Sequence, residues 1–319
     1  MHGAQTELRP LGFGEMLDRA ISLGVRRFVP LAVLLAVYVV PANALMLRFQ
    51  LSAQRLSTTA QPRTGPVGAA DPAAMHRLLL DSQSVFATLG WVLGLAAIVY
   101  PLVLAVAGMV VWRSNVGESP GIAGAVRAGL AVWPRLIGIA VLYALCGLAA
   151  LIVLAIAVFV IATAAGFVLV AAHATIAFAI FAIALGIALG CGFLLFGGLV
   201  TLAFAISTFT CVVEHIGARA AVGIGLRRVF ARSALRRSVL GGLVLFALSV
   251  GEILIAAAGG SVVGFAHNVV AVAAFGIAIG IIFGVVRATF LAIYYIDERL
   301  RFEGLDLQLA AGAIAPQPN

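Results

Sequence analysis

The run LIGIAVLYALCGLAALIVLAIAVFVIATAAGFVLVAAHATIAFAIFAIALGIALGCGFLLFGGLVTLAFAISTFTCVV, Leu136 to Val213, holds 78 residues without one Asp, Glu, Lys or Arg. A bilayer-crossing helix needs about 20 apolar residues, and a helix in a soluble core ends far short of this run. The reading is therefore an all-α integral membrane protein. At about 1.5 Å per residue the run makes roughly 117 Å of helix, against a hydrocarbon core of about 30 Å, so it crosses more than once. Working outward, charge-poor stretches at 28–46, 85–112, 239–258 and 268–295 supply four further spans.

Charge decides the count. Arg113, Arg127 and Arg135 precede the long run, and Arg219, Arg227, Arg228, Arg232, Arg236 and Arg237 follow it. Arginine-rich segments stay cytoplasmic, so the run crosses an even number of times. Two crossings (136–163 and 176–213, turning near Thr163–Thr175) give six transmembrane helices with both termini inside. Sixteen arginines then fall inside, and only Arg48, Arg55, Arg63 and Arg77 fall outside. The plan is a cytoplasmic segment 1–27, a transmembrane domain 28–296 with one polar outer loop at 48–84, and a cytoplasmic tail 297–319. Trp91 and Trp112 are expected at the two headgroup layers of the second span.

Composition agrees. The chain is 63% hydrophobic and 10% charged, with a mean hydropathy of +1.17, values outside the soluble range. Its net charge of +8 is accounted for by orientation in the membrane, so nucleic acid is not an expected partner. Every basic residue is arginine, whose planar fork suits phosphate. Cys146, Cys191 and Cys211 sit in apolar segments without CxxC spacing, and His2, His76, His173 and His215 lack ligand spacing. No metal, cofactor or disulfide is expected. No Ser–His–Asp set, HExxH, phosphate loop or dinucleotide fingerprint appears in a fitting context, so the expectation is a non-enzyme.

Three amphipathic helices are expected on the inner face. The first, Gly12–Phe28, carries Phe13, Met16, Leu17, Ala20, Ile21 and Val25 on one side and Glu15, Asp18, Arg19, Ser22 and Arg26 on the other. The second starts at a Ser119–Pro120 cap and runs to about Trp133; the third covers about Ala218–Arg237. Each precedes an odd-numbered span, which suggests a threefold repeat. An eight-residue spacing (Arg19 and Arg27, Arg127 and Arg135, Arg228 and Arg236) is its candidate mark.

Both ends resemble a known family. Leu8-Arg9-Pro10-Leu11-Gly12-Phe13-Gly14-Glu15-Met16-Leu17-Asp18 is similar to the opening of bacterial proteins described as glycerophosphoryl diester phosphodiesterase membrane-domain-containing. Tyr295, Asp297, Arg299, Arg301, Glu303, Gly304, Asp306 and Leu307 match that family's closing motif, Y-x-D-x-R-x-R-x-E-G-x-D-L. A middle signature fits at Glu214, Gly217 and Ala221 but departs where Ile224 and Gly225 replace Arg-Ser. The resemblance implies a multi-helix domain of the bacterial plasma membrane, without the soluble phosphodiesterase barrel that accompanies it in some relatives. That barrel would need roughly 250 residues, which no soluble segment here offers.

Within the spans, Glu252 is the lone acidic residue, and a carboxylate there costs at least ~2.5 kcal/mol on insertion scales. With the last hairpin turning at Gly259–Gly260, Glu252 and His267 fall at matching depth, with Asn268 beside them. They form either a structural tie or a proton relay, with the tie favoured. Arg287 is expected to snorkel toward the inner headgroups. A direct Arg287–Glu252 pair is not expected, because the two lie at very different distances from that turn and so at different depths. The segment Asp297–Glu303 reads as a solvated helix end, with docking on the basic segment Arg227–Arg237 as the sharper alternative.

Gly276, Gly280 and Gly284 repeat every four residues, as do Gly186–Gly190 and Gly90–Gly94. This spacing lets helices approach closely, within the molecule first and in a homodimer second. Pro41 and Pro101 predict kinks.

The leading functional expectation is a scaffold, anchor or accessory subunit that contacts anionic lipid through Arg227, Arg228, Arg232, Arg236 and Arg237 and has membrane-protein partners. The alternative is a transporter or lipid-handling permease using Glu252, His267 and Arg287. A permease requires a wet mid-membrane cavity lined by those side chains, whereas a scaffold requires tight packing there.

Overall fold

The computed structural model describes residues 11–60, 72–116, 121–171, 175–264 and 269–303. In order these form α1 (Phe13–Arg26), α2 (Phe28–Ala60), α3 (Pro72–Val116), α4 (Ile122–Ala131), α5 (Trp133–Ala171), α6 (Thr175–Val213), α7 (Ala218–Phe230), α8 (Arg232–Gly264) and α9 (Val269–Glu303). Six of them, α2, α3, α5, α6, α8 and α9, are long and apolar enough to cross a membrane. Their outer faces carry large apolar side chains such as Val29, Phe86, Val153, Leu254 and Val270, the surface a helix offers to lipid tails. This is an all-α, multi-pass membrane protein.

The chain repeats one unit three times: a short helix, a one-residue joint, and a long hairpin. The joints are Arg27, Val132 and Ala231. Each joint breaks the helix without a loop. Pro30 and Pro134 sit in the first turn after two of these joints, where a missing N–H costs little.

The mark of the repeat is a small-residue edge and not the arginine spacing. Ala20-x-x-x-Gly24, Ala125-x-x-x-Gly129 and Ala221-x-x-x-Gly225 are buried in α1, α4 and α7. Each edge lies on the second long helix of the preceding unit. A Cβ on Gly24 would meet Thr289 and Val285 of α9, one on Gly129 would meet Val106 and Leu102 of α3, and one on Gly225 would meet Ser207 and Ala203 of α6. The three units thus close a ring. Aligned on these edges, Arg19, Arg127 and Arg228 occupy different positions, so their shared spacing does not mark the repeat.

The second long helices α3, α6 and α9 pack on one another, and each first long helix also contacts the preceding unit's second one. Two residues beyond the short-helix contacts, Gly108, Phe209 and Leu291 fall in one layer. A Cβ on Gly108 would overlap the Phe209 ring, so the missing side chain makes room for the aromatic one. Elsewhere α6 and α8 cross so closely at Gly198 that a Cβ would lie 2.6 Å from the Gly242 carbonyl oxygen. The Gly276, Gly280 and Gly284 edge of α9 faces Asn43, Val39 and Leu35 of α2, an intramolecular seam. Gly90, Gly94, Gly186 and Gly190 have no such neighbour among the described residues.

Several boundaries differ from the sequence reading. Most of the expected loop at 48–84 is helix: α2 runs on to Ala60, α3 starts at Pro72, and Ala, Gln, Arg and Leu there favour continuation. Helix α5 continues to Ala171 and α6 starts at Thr175, within the stretch where a turn is expected, whereas α8 continues through the expected turn at Gly259–Gly260 to Gly264. The helix expected over 218–237 breaks at Ala231, so Arg232–Arg237 begin a span. Helix α4 is capped by Gly121 and not by Ser119–Pro120, which lie outside the described residues. Residues 297–303 extend α9 and do not start a tail.

Candidate functional site

Arg287 and Glu252 meet. Arg287 Nη2 donates to Glu252 Oε2 over 2.7 Å and to Ser249 Oγ over 3.4 Å. This overturns the expected separation and the expected snorkelling. The reason is the turn: with α8 reaching Gly264 and α9 starting at Val269, the depths differ by about six residues, or roughly 9 Å, within reach of an arginine side chain and some helix tilt. His267 and Asn268 lie outside the described residues, so the proposed Glu252–His267 tie has no geometry here.

The side chains of Arg287 and Glu252 are 25% and 30% exposed, and that surface opens into cavities. One, of about 140 Å³, is lined by Tyr38 and Asn43 of α2, Tyr100 of α3, Glu252 of α8, and Gly280 and Arg287 of α9. A second, of about 270 Å³, is lined by Tyr100, Thr201, Ser249 and Arg287. Arg287 and Tyr100 belong to both walls and stand between the two spaces. In the threefold register Arg287 corresponds to Leu104 and Ala205, so the third unit alone places a charge at this level.

A second polar cluster closes the bundle at the short-helix end. Glu214 Oε1 accepts from Tyr295 Oη at 2.8 Å and from Arg228 at 3.4 Å, and Arg299 Nε lies 3.6 Å away. Arg228 also donates to Thr210 at 3.0 Å. The guanidinium of Arg299 lies over the Trp112 ring at 5.5 Å and that of Arg228 over Tyr295 at 5.8 Å. Trp112 is therefore a partner within this cluster. His215, next to Glu214, holds φ 55°, a left-handed turn that lets α6 stop and α7 fold back. Its carbonyl accepts from Arg135 at 3.2 Å.

Asp297 and Glu298 are both buried at 1% exposure, so this end of α9 is not solvated. Asp297 accepts the Leu11 N–H at 2.7 Å and Arg301 Nε at 3.0 Å, and is paired with Arg237. Arg301 Nη2 donates to the Leu11 carbonyl at 2.7 Å. The two ends of the described chain are thus clamped together. Gly304 and Asp306 lie outside the described residues, as does the side chain of Glu303.

Of the five candidate headgroup arginines, Arg227, Arg232 and Arg236 are exposed. Arg228 and Arg237 point inward to Glu214 and to Asp297 with Glu298, so they are internal partners. Sequence reasoning missed Tyr38, Tyr100, Asn43 and Thr201. The available signal was tyrosine and asparagine inside otherwise apolar spans. No group of three His, Cys, Asp or Glu side chains among the described residues could hold a metal.

The fold and this site define a class, a polytopic helical membrane protein with an ion pair inside its bundle. No protein-family model matches the chain, and no curated protein or solved structure matches it.

Proposed function

We propose that this chain is a permease of the bacterial plasma membrane, non-enzymatic, passing a small polar solute through its bundle along Arg287 and Glu252. One observation carries the reading: at mid-bundle depth the ion pair lines one cavity, and its Arg287 lines a second beside it. Arg287 precedes Asp297 by ten residues, about 15 Å of helix, which is half the ~30 Å hydrocarbon core. Intramembrane ion pairs are costly and mark ion or substrate paths. Each cavity is smaller than the ~300–1,000 Å³ of sites for drug-sized ligands, which favours a small solute over a lipid.

The orientation belongs to the same proposal. The short helices α1, α4 and α7 lie in the cytoplasmic headgroup layer, with six spans and both termini inside, as the arginine bias supports. Kinship with the glycerophosphoryl diester phosphodiesterase membrane-domain proteins is also proposed, on the opening and closing motifs.

The test is accessibility. In a background with Cys146, Cys191 and Cys211 replaced, single cysteines at Asn43 and Thr201 should react with a membrane-impermeant thiol reagent. No reaction at either position from either side would end the permease reading.

A second reading, a scaffold or accessory subunit held on anionic lipid, is favoured by exposed Arg227, Arg232 and Arg236 beside exposed Leu226 and Phe230. It expects anionic lipid to co-purify with the chain and to be lost when the three arginines become glutamine.

A further inference from the structure

We propose that the Arg287 site binds a small monovalent carboxylate and takes it up together with one proton, carried on Glu252. The inference rests on the permease reading and adds the substrate class.

The unused hydrogen-bonding groups give the chemistry. Arg287 engages Glu252 and Ser249 through Nη2 alone; its Nε and Nη1 N–H groups have no partner among the described residues. A guanidinium presents five N–H groups in a planar fork, and it holds a carboxylate best through two parallel bonds. The present pair is one-legged and leaves an open edge. The Tyr38 and Tyr100 rings lie 5.1 Å apart on the wall of the same cavity, and neither hydroxyl has a partner among the described residues. Donors converge on a space that contains few acceptors, so the ligand supplies acceptors in a plane. At about 140 Å³, the space suits a carboxylate of two or three carbons.

Charge balance supplies the proton. The Arg287–Glu252 pair is neutral as it stands, and a second anion beside it would leave one negative charge in a medium that penalises it by several kcal/mol. Protonating Glu252 frees Arg287 for the ligand and keeps the site neutral. The groups facing Glu252 are Arg287 of α9, Tyr38 of α2, Tyr100 of α3 and Ser249 of its own helix, while α6 offers Gly197, Gly198 and Thr201. None of these except Glu252 is an anion able to accept the proton.

The experiment follows thermal unfolding of the full chain in nanodiscs with acetate, against chloride at equal ionic strength. Acetate should raise the midpoint and chloride should not. Apparent acetate affinity should fall about tenfold per pH unit while Glu252 is ionised in the empty protein. Glu252→Gln should bind acetate independently of pH, and Arg287→Lys, which keeps the charge but loses the fork, should bind at least tenfold more weakly. Tyr100→Phe, which preserves packing, should weaken acetate several-fold. Equal shifts with acetate and chloride, wild-type pH dependence in Glu252→Gln, or unchanged affinity in both Arg287→Lys and Tyr100→Phe would each overturn the proposal. Thiol-accessible cavities without acetate preference would overturn it alone, whereas inaccessible cavities would remove the permease reading beneath it.

Discussion

Gly225 of α7 presses on Ser207 of α6 so closely that no Cβ fits between them, and the Ala203 carbonyl oxygen would lie 2.8 Å from one. The same edge is looser at Gly129, where Val106 would be 2.9 Å away, and looser still at Gly24, at 3.3 Å from Thr289 Oγ1. The ring of three units is therefore tightest where α7 meets α6.

Alanine at these glycines should cost stability in the order Gly225, Gly129, Gly24. Overpacking a filled interior costs about 1–3 kcal/mol, and the upper end belongs to Gly225 because a backbone carbonyl cannot move aside. Gly24→Ala should be near neutral, since helix propensity returns up to ~1 kcal/mol. Thermal midpoints of the three variants in one detergent check the ranking, and Gly24→Ala as the worst would refute it.

Neutralising Arg287 and Glu252 should be non-additive. Arg287→Gln leaves an uncompensated carboxylate in the span, while Arg287→Gln with Glu252→Gln leaves none. The double variant should be more stable than Arg287→Gln alone, with a coupling of about 1–3 kcal/mol. A double-mutant cycle of unfolding free energies measures it; additive costs would mean that the pair contributes nothing.

Asp297→Ala should loosen α1. The carboxylate ties Leu11, Arg237 and Arg301 together at 1% exposure, and removing one partner of a buried ion pair costs about 3–5 kcal/mol. Limited proteolysis should cut near Leu11 faster than in the parent chain, and an unchanged cleavage rate would show the clamp to be idle.

Tyr295→Phe deletes one hydroxyl from the Glu214 cluster and keeps the ring beneath Arg228. A hydrogen bond to a charged acceptor contributes about 1.5–3 kcal/mol, so a loss in that range is expected. Glu214→Gln should cost more, because Arg228 and Arg299 both lose their anion. The comparison is made by unfolding in detergent.

The spans were legible because hydrocarbon tolerates no unpaired charge, so charge-free length reports directly on crossing. The helix ends were not, because Arg48, Arg55 and Asp81 are as compatible with a helix projecting past the bilayer as with a loop. That error in the last turn also hid the Arg287–Glu252 pair: shifting a hairpin tip by a few residues changes the relative depth of its two arms by twice as much.

Six apolar helices and the bias of arginine to one set of connections follow from the sequence alone, since transfer into lipid acts on each residue wherever it packs. Which arginines turn inward, which glycines carry the ring and which charges meet at mid-depth were decided by the tertiary structure. Arg228 and Arg232 read alike in one basic segment, yet one pairs with Glu214 and the other is exposed. A partner contributed by another helix sets the environment of each side chain, and chain order carries no direct record of which helices will touch.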